Sequence, residues 1–503
     1  MQEKIKVQSF VTEDSITLFW EKPKQFVQGS QYHILLDGEF VGVTGKTHYE
    51  LVELEPDRDY EVQVVMKKLQ TSIVTDRIKV RTGKKKRVLN ITEPPYYASG
   101  DGKTMNTKSI QSAIDDCNAE TVVYIPRGIF LTGALRLHGN MELYLAEGAV
   151  LQGTDRVGDY LPKIPSRFEG TELFCYSSLL NLGEMDHKSS YNCQNVIIRG
   201  KGTIASGGKS LAEKVIASER KEKKEYLDSL GEKIKECENA DTIPGRVRPR
   251  LINISNCQNV RISGLTLKNG ASWNVHMIYS DRIVTDSCTF YSEGVWNGDG
   301  WNPDSSSHCT IFGCTFYTGD DSIAIKSGKN PEGNIINRPS KNIWIADCKS
   351  VFGHGITIGS EMSGGVEDVH IWDCDVSKSL CGIEIKGTKK RGGYVRNVTV
   401  RDCLAARVLF HSVGYNDDGE GASEMPIFEN CRFEDICITG EYLNDEKVWT
   451  TCEPIELCGF CQPGHELKNI EFRDIRLGVP GQSRKQKISM EYCKNISFYN
   501  VSV

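Results

Sequence analysis

The stretch FYTGDDSIAIKSG sets two aspartates, Asp320 and Asp321, side by side just before a short alternating strand. Adjacent carboxylates repel one another and are costly to desolvate. The pair therefore belongs to a solvated turn, a cation site, or a set of acids that do chemistry. Three other stretches share its pattern: DGWNPD from 299, HGITIG from 354 and CGIEIK from 381, beside DSIAIK from 321. Stacked, their third and fifth positions read Trp301, Ile323, Ile356, Ile383 and Pro303, Ile325, Ile358, Ile385, the inward face of a period-two strand. Their first position, at the bend before the strand, reads Asp299, Asp321, His354, Cys381, with Asp320 alongside. The outward positions read Asn302, Ala324, Thr357, Glu384 and then Asp304, Lys326, Gly359, Lys386. If these stretches are neighbouring strands about 4.8 Å apart, three acids, a histidine and two lysines share one patch. Glycines flank nearly every member and permit close approach of backbone and ligand.

Paired carboxylates roughly 6.5–9.5 Å apart meet the requirement of inverting glycoside hydrolysis, in which one protonates the leaving oxygen and the other activates water. Crowding raises at least one of their pKa values and keeps an acid protonated near neutrality, while the histidine orients or tunes the pair. A calcium site would explain the carboxylates but not the histidine and lysines beside them. A non-catalytic glycan-binding surface needs a groove but not three stacked acids.

A regular scaffold is needed to bring these residues together. The pieces DSCTF, FGCTF, ADCKS, WDCDV, RDCLA and ENCRF put Cys288, Cys314, Cys348, Cys374, Cys403 and Cys431 at matching points, with gaps of 26, 34, 26, 29 and 28 residues. Ile475 and Val501 continue the series, so the position wants a small buried apolar group, not a ligand or disulfide partner. Such periods signal a solenoid, here a parallel β-helix spanning 95–503. A short helix in NTKSIQSAIDDC, with Ile110, Ala113, Ile114 and Cys117 on one face behind a polar N-cap, is placed to plug one end. Residues 208–237 break the pattern, with Leu211, Val215, Tyr226, Leu230 and Ile234 at helical spacing. This excursion packs on the solenoid surface, walls one end of a groove, or forms a dimer contact. Residues 1–83 read as short strands and turns with Trp20 as core anchor, and 84–94, containing GKKKR, as a solvated linker. LEPDRDYEVQV resembles the corner of a fibronectin type III module, with Tyr60 as the corner tyrosine. The expectation there is a β-sandwich without chemistry of its own.

The 503 residues are 39% hydrophobic and 25% charged, an ordinary globular composition. A net charge of -6 gives no reason to expect nucleic acid or an anionic membrane as partner. MQEKIKVQSF has no apolar signal core, which with eighteen cysteines predicts a reducing, cytoplasmic setting, unless a leader has been trimmed. Cys458 and Cys461 in CGFC, near Cys452, Cys493 and His465, form a weak zinc signature. No metal or cofactor is otherwise called for.

NGDG, GDD, GHG and EIK…RGG, in this order, resemble the successive motifs of the polygalacturonases, glycoside hydrolase family 28. The likeness runs from about residue 88 to the C-terminus and includes IPRGIFLTGALRLHGNMELYLAEGAVL, RPRLINI, SWNVH and IGSEMSGG. It implies an all-β fold, a right-handed pectin-lyase-like β-helix, and hydrolysis of pectic chains. By resemblance Asp320 is the general acid, Asp299 and Asp321 activate water, His354 supports them, and Lys386 contacts a substrate carboxylate. Asn297 opens the NGD motif, while His276 and Arg248 match residues near the groove; Lys326, on the outward face of the stack, is a further candidate for substrate binding. Glu384 departs from the pattern, since the family usually has arginine two residues before the lysine. A glutamate facing a uronate at about 4 Å costs on the order of 1 kcal/mol in water. A neighbouring lysine (Lys386, Lys326 or Lys389) therefore neutralises it, or the subsite takes a neutral sugar, as in rhamnogalacturonan or xylogalacturonan fragments. A pectate lyase would share the fold but leave an ultraviolet-absorbing double bond. The excursion, the sandwich and the missing signal together point to exo-action on imported oligosaccharides.

Overall fold

The computed structural model describes residues 5–24, 26, 29–68, 71–74, 77–479 and 487–503. The chain divides into two compact units, Met1–Val88 with Glu120–Val122, and Leu89–Ala119 with Val123–Val503.

The larger unit is a parallel β-helix whose coil repeats strand, corner, short strand, loop, strand. Asp281–Asp286, Thr289–Tyr291 and Trp301–Asp304 make one coil, and Ser307–Phe312, Thr315–Tyr317 and Ile323–Ile325 the next. Each strand pairs in parallel with its counterpart one coil on. Among the described residues, eleven strands stack into the sheet that carries the candidate site. Six are named here: β1 (Val275–Ile278), β2 (Trp301–Asp304), β3 (Ile323–Ile325), β4 (Gly355–Ile358), β5 (Gly382–Gly387) and β6 (Val408–Ser412). The expected register holds: Trp301 lies beside Ile323, Ile323 beside Ile356, Ile356 beside Ile383, and the whole column is buried.

The corners explain the cysteines. Ser287, Gly313, Asp347, Asp373, Asp402, Asp435, Asp474 and Asn500 all turn the chain at positive φ, a conformation that Gly, Asn and Asp tolerate best. The residue after each corner points inward: Cys288, Cys314, Cys348, Cys374, Cys403, then Ile436, Ile475 and Val501. Ile436 takes the place expected for Cys431. Leu404 pairs with Cys437, so Cys403 opposes Ile436, whereas Cys431 lies between Val398 and Ile470 in a different column. The strand Ile427–Ile438 runs unbroken through the corner and carries two small apolar inward residues, which misaligns a count made on sequence alone. None of the eighteen cysteines forms a disulfide.

Helix α1 (Thr107–Asp115) buries Ile110, Ala113 and Ile114 in the same core as the solenoid strands. Asn106 does not cap it through its side chain, which instead accepts from the Ser99 amide and donates to the Thr104 carbonyl. In the excursion, α2 (Gly208–Glu222) buries Leu211, Ala212 and Val215, while Tyr226 in the following short helix is exposed. The apolar face predicted to run from 211 to 234 therefore ends with α2.

The smaller unit has two antiparallel sheets. One contains Val7–Val11, Ile16–Trp20 and His48–Leu51; the other is built around Gln31–Leu36 and Asp59–Lys68. Trp20 is fully buried edge-on to Tyr32, as the anchor role required. The segments 69–70 and 75–76 lie outside the described residues.

Candidate active site

Asp299 and Asp321 sit two residues before β2 and β3, and backbone hydrogen bonds lock these bends coil to coil. The Gly300 amide donates to the Asp321 carbonyl at 3.0 Å, and the His354 amide to the Asp320 carbonyl at 2.9 Å. Two glycines make this spacing possible. A Cβ on Gly353 would lie 2.2 Å from Thr318 Oγ1, and one on Gly355 would lie 2.3 Å from the Gly382 carbonyl. Both have φ above +100°, so no other residue fits either place.

The side chains converge on a polar cavity of about 180 Å³ lined by Asn297, Asp299, Asp320, Asp321, Lys326, His354 and Lys386. His354 Nδ1 lies 2.9 Å from Asp320 Oδ1 and 3.7 Å from Asp321 Oδ1. Asp321 Oδ1 also accepts from Thr357 Oγ1 at 2.7 Å, and its Oδ2 lies 3.9 Å from Lys386 Nζ. Across the cavity, Lys326 Nζ lies 3.5 Å from Asp299 and 3.0 Å from Glu361, over the face of Trp273.

These contacts divide the acids. Burial pushes Asp299 well above the usual carboxylate range, opposed by Lys326 and reinforced by Asp320 and Asp321. Asp321 is raised for the same first reason, with Lys386 pulling the other way. Burial also acts on Asp320, but the charge of His354 and the hydrogen bond to it outweigh that effect and hold Asp320 down to about 2. Reciprocally, burial works against the His354 cation, yet Asp320 and then Asp321 raise it to about 9. The free site thus holds a proton on the His354–Asp320 pair, while burial favours the protonated form of Asp299 in the same cavity. Polarised groups of this kind serve acid–base chemistry. Asp320, Asp321 and His354 offer three ligand atoms within 4.8 Å of one another, a spacing that suits a cation. Lys386, 3.9 Å from Asp321, already supplies positive charge beside it. At the expected zinc signature, His465 instead turns Nε2 towards Glu424 at 3.2 Å.

Glu384 is not among the residues that line the cavity. It is 3% exposed, with Oε2 2.8 Å from Lys386 Nζ and Oε1 2.7 Å from His411 Nε2. Although burial opposes its charge, Lys386 and His411 hold it far below the usual range. The expected neutralisation by a lysine is met by Lys386, with His411 of β6 as a second partner.

Two expected groove residues lie behind the wall. The hairpin formed by Lys163–Phe168 and Thr171–Tyr176 crosses the outward face of the sheet: Ser166 bonds Asn253, and Arg167 bonds Asp304. His276 on β1 is fully buried against Asp304 (3.2 Å) and the edge of Trp273, and burial lowers its pKa to about 4. Arg248 is also fully buried, stacked on Trp296, and donates to Asn297 Oδ1 at 2.6 Å. Each supports a lining residue and neither lines the cavity. Conversely, Glu169, Glu238, Trp273, Glu361, Tyr415 and Asn416 line it and were not anticipated. Trp273 and Glu361 lie within stretches that carry the family resemblance, SWNVH and IGSEMSGG, so a signal existed for them. The others come from loops without periodicity. The end of the excursion belongs to the wall: the Glu238 amide donates to Asn416 Oδ1 at 3.2 Å, and the Asp417 amide to the Glu236 carbonyl at 3.0 Å.

Residues 164–408 match Glycosyl hydrolases family 28. Over 552 aligned residues the chain is 24% identical to the exo-poly-alpha-D-galacturonosidase of Dickeya chrysanthemi, covering 99% of this chain and 90% of that protein. It is 33% identical to a probable polygalacturonase of Vitis vinifera over 60% of this chain and 58% of the other. Among solved structures, the family 28 exopolygalacturonase of Yersinia enterocolitica shares the fold with a TM-score of 0.78, covering 99% of this chain and 96% of its own at 20% identity. The exopolygalacturonase of Thermotoga maritima superposes with a TM-score of 0.65 at 25% identity, covering 82% and 91%.

Proposed function

As residues 164–408 match Glycosyl hydrolases family 28, we propose that the chain belongs to that family and shortens α-linked galacturonic acid chains by hydrolysis at their ends, as an exo-acting polygalacturonase. The observation that carries this reading is the cavity itself. It brings together the acids, both lysines and His354, walled in part by Glu169 of the hairpin, Glu238 at the end of the excursion, and Tyr415 and Asn416. These walls beside the acids favour the end of a chain over its middle. The exo-poly-alpha-D-galacturonosidase of Dickeya chrysanthemi, matched over 99% of this chain, supports the same reading.

In this proposal Asp320 is the acid, loaded from His354, whose Nδ1 is 2.9 Å away. The proton goes to the glycosidic oxygen as the bond to the anomeric carbon breaks. Asp299, with Asp321, takes a proton from the water that forms the new bond on the opposite face. A buried carboxylate with a raised pKa is the stronger base for that task. Lys386 and Lys326 supply positive charge for the uronate, with Glu384 holding Lys386 in place. The small N-terminal unit fits a fibronectin type III-like module: Tyr60 Oη accepts from the Glu55 amide at 2.8 Å, the tyrosine-corner bond.

Exo-action is tested by the size of the products from long polygalacturonate. The expected result is one short product from the first minutes, while the viscosity of the polymer falls slowly. A ladder of intermediate lengths at low conversion would overturn it.

A further inference from the structure

We propose that Glu361 is a positioning residue for the water-activating carboxylate: it draws Lys326 towards itself, so that Asp299 is the member of the trio that takes up and gives back a proton. The inference deepens the hydrolytic reading above and rests on it. Lys326 Nζ stands between the two carboxylates, 3.0 Å from Glu361 Oε2 and 3.5 Å from Asp299 Oδ2. All three residues are buried, and all three line the cavity. One ammonium does not neutralise two buried carboxylates, and the less well served of the two is the one that a proton stabilises. The distances give that place to Asp299.

The backbone fixes this unequal sharing. Lys326 follows β3 and is held on one side by β2: its amide donates to the Pro303 carbonyl at 2.8 Å, and its carbonyl accepts from the Ser305 amide at 3.0 Å. On the other side the loop after β4 runs along the same segment. There the Ser327 amide donates to the Glu361 carbonyl at 2.7 Å, the Ser363 amide to the Gly328 carbonyl at 2.9 Å, and the Gly364 amide to the Ser327 carbonyl at 2.8 Å. Lys326 Nζ also lies 4.7 Å from the centre of the Trp273 ring, which Phe168 stacks against at 4.5 Å. The ammonium is confined to the space between the two acids.

The surrounding charges agree with the geometry. Burial opposes the charge of Glu361, but Lys326 and then Arg391 hold it below the ordinary carboxylate range. Burial also opposes the Lys326 cation, which Glu361 and then Asp299 and Asp321 restore. His276 on β1 and Asp304 on β2 face Lys326 as well. Asp299 meets Lys326 as an opposite charge and Asp320, Asp321 and Glu361 as like charges, with Arg248 behind the wall. Removing the charge of Glu361 takes a like charge from Asp299 and leaves Lys326 to it. Both changes favour the ionised base, so its pKa falls. Removing the charge of Lys326 does the opposite.

The test is the pH dependence of kcat/KM on trigalacturonate for the wild type, Glu361→Gln and Lys326→Met, because the acid limb of that profile reports the base of the free enzyme. A merely structural role would lower the whole profile without moving the limb, and a lost uronate contact would raise KM on the plateau. An opposite charge this close lowers the pKa of a carboxyl by about 1–3, so the limb is expected to move up in Lys326→Met. One pH unit below the wild-type midpoint, its kcat/KM relative to the plateau is expected to be about tenfold lower than that of the wild type. In Glu361→Gln the limb is expected to move down, and the same measure to rise at least about twofold. The uronates of the substrate titrate alike in every assay and cancel in the comparison. A limb that stays in place or moves up in Glu361→Gln, or that does not move up in Lys326→Met, overturns the proposal. If Glu361→Gln fails to fold, Glu361→Asp decides: its shorter reach releases Lys326, a smaller downward shift is expected, and no shift overturns the proposal. A wild type that releases no product from trigalacturonate at any pH would instead overturn the reading beneath it.

Discussion

Asp320→Asn is expected to lower kcat by at least about 10³-fold while an oligogalacturonide still binds within a few-fold of its wild-type affinity. General acid catalysis supplies typically 10²–10⁴-fold, and this substitution removes more than one carboxyl. Without the Asp320 charge, the principal cause that raises His354 to about 9 is lost. Burial then drives the imidazole to its neutral form, and the proton store empties together with its outlet. The amide keeps the shape of the side chain, so the cavity and its lysines remain. Reducing-end release measures turnover, and calorimetric titration measures binding. Activity within tenfold of wild type would remove Asp320 from the role of acid and turn attention to Asp299, the other carboxyl in the cavity whose burial favours a proton.

Glu384→Arg is expected to destabilise the β-helix by about 3–5 kcal/mol, the usual cost of breaking a buried ion pair, and to raise KM for galacturonides. Glu384 is enclosed by Lys386 at 2.8 Å, His411 at 2.7 Å and Thr357 at 3.2 Å. An arginine there would confront the Lys386 ammonium and the His411 ring with no carboxylate between them, although it is the residue the family usually carries at this position. Lys386 would be pushed from its place 3.9 Å from Asp321. Thermal unfolding and steady-state kinetics read the two effects separately. An unchanged melting temperature with a lower KM would show that Glu384 is not the counter-ion of Lys386 and that this position contacts substrate directly.

The parts of the fold that obey a short period were legible in the sequence. Trp301, Ile323, Ile356 and Ile383 alternate with polar neighbours, which sets the inward face and hence the stripe of Asp299, Asp321 and His354. What periodicity does not reveal is which outward residues a distant segment will cover. His276 and Arg248 were placed near the groove by resemblance to the family's motifs, but the hairpin at 163–176 and the stack on Trp296 bury them. Glu384 misled for a related reason: its position faces outward, yet Lys386 and His411 close over it. Glu169, Glu238 and Tyr415 could not be found, because each sits in a loop or insertion whose path depends on tertiary contacts such as the hydrogen bonds from Arg246 to Glu169 and Asp418. The cysteine column failed at Cys431, where two small apolar residues five apart, Cys431 and Ile436, compete for one corner and only the strand register decides between them.

The central claim is that this cavity hydrolyses an α-galacturonosidic bond by a single displacement, with an acid on one side and an activated water on the other. Proton NMR of the first products, recorded before mutarotation, tests it most directly. The account predicts that the new reducing end appears as the β-anomer and converts to the α-form only later, with no gain in ultraviolet absorbance. An α-anomer at the first time point, or a product carrying a C4–C5 double bond, would contradict it.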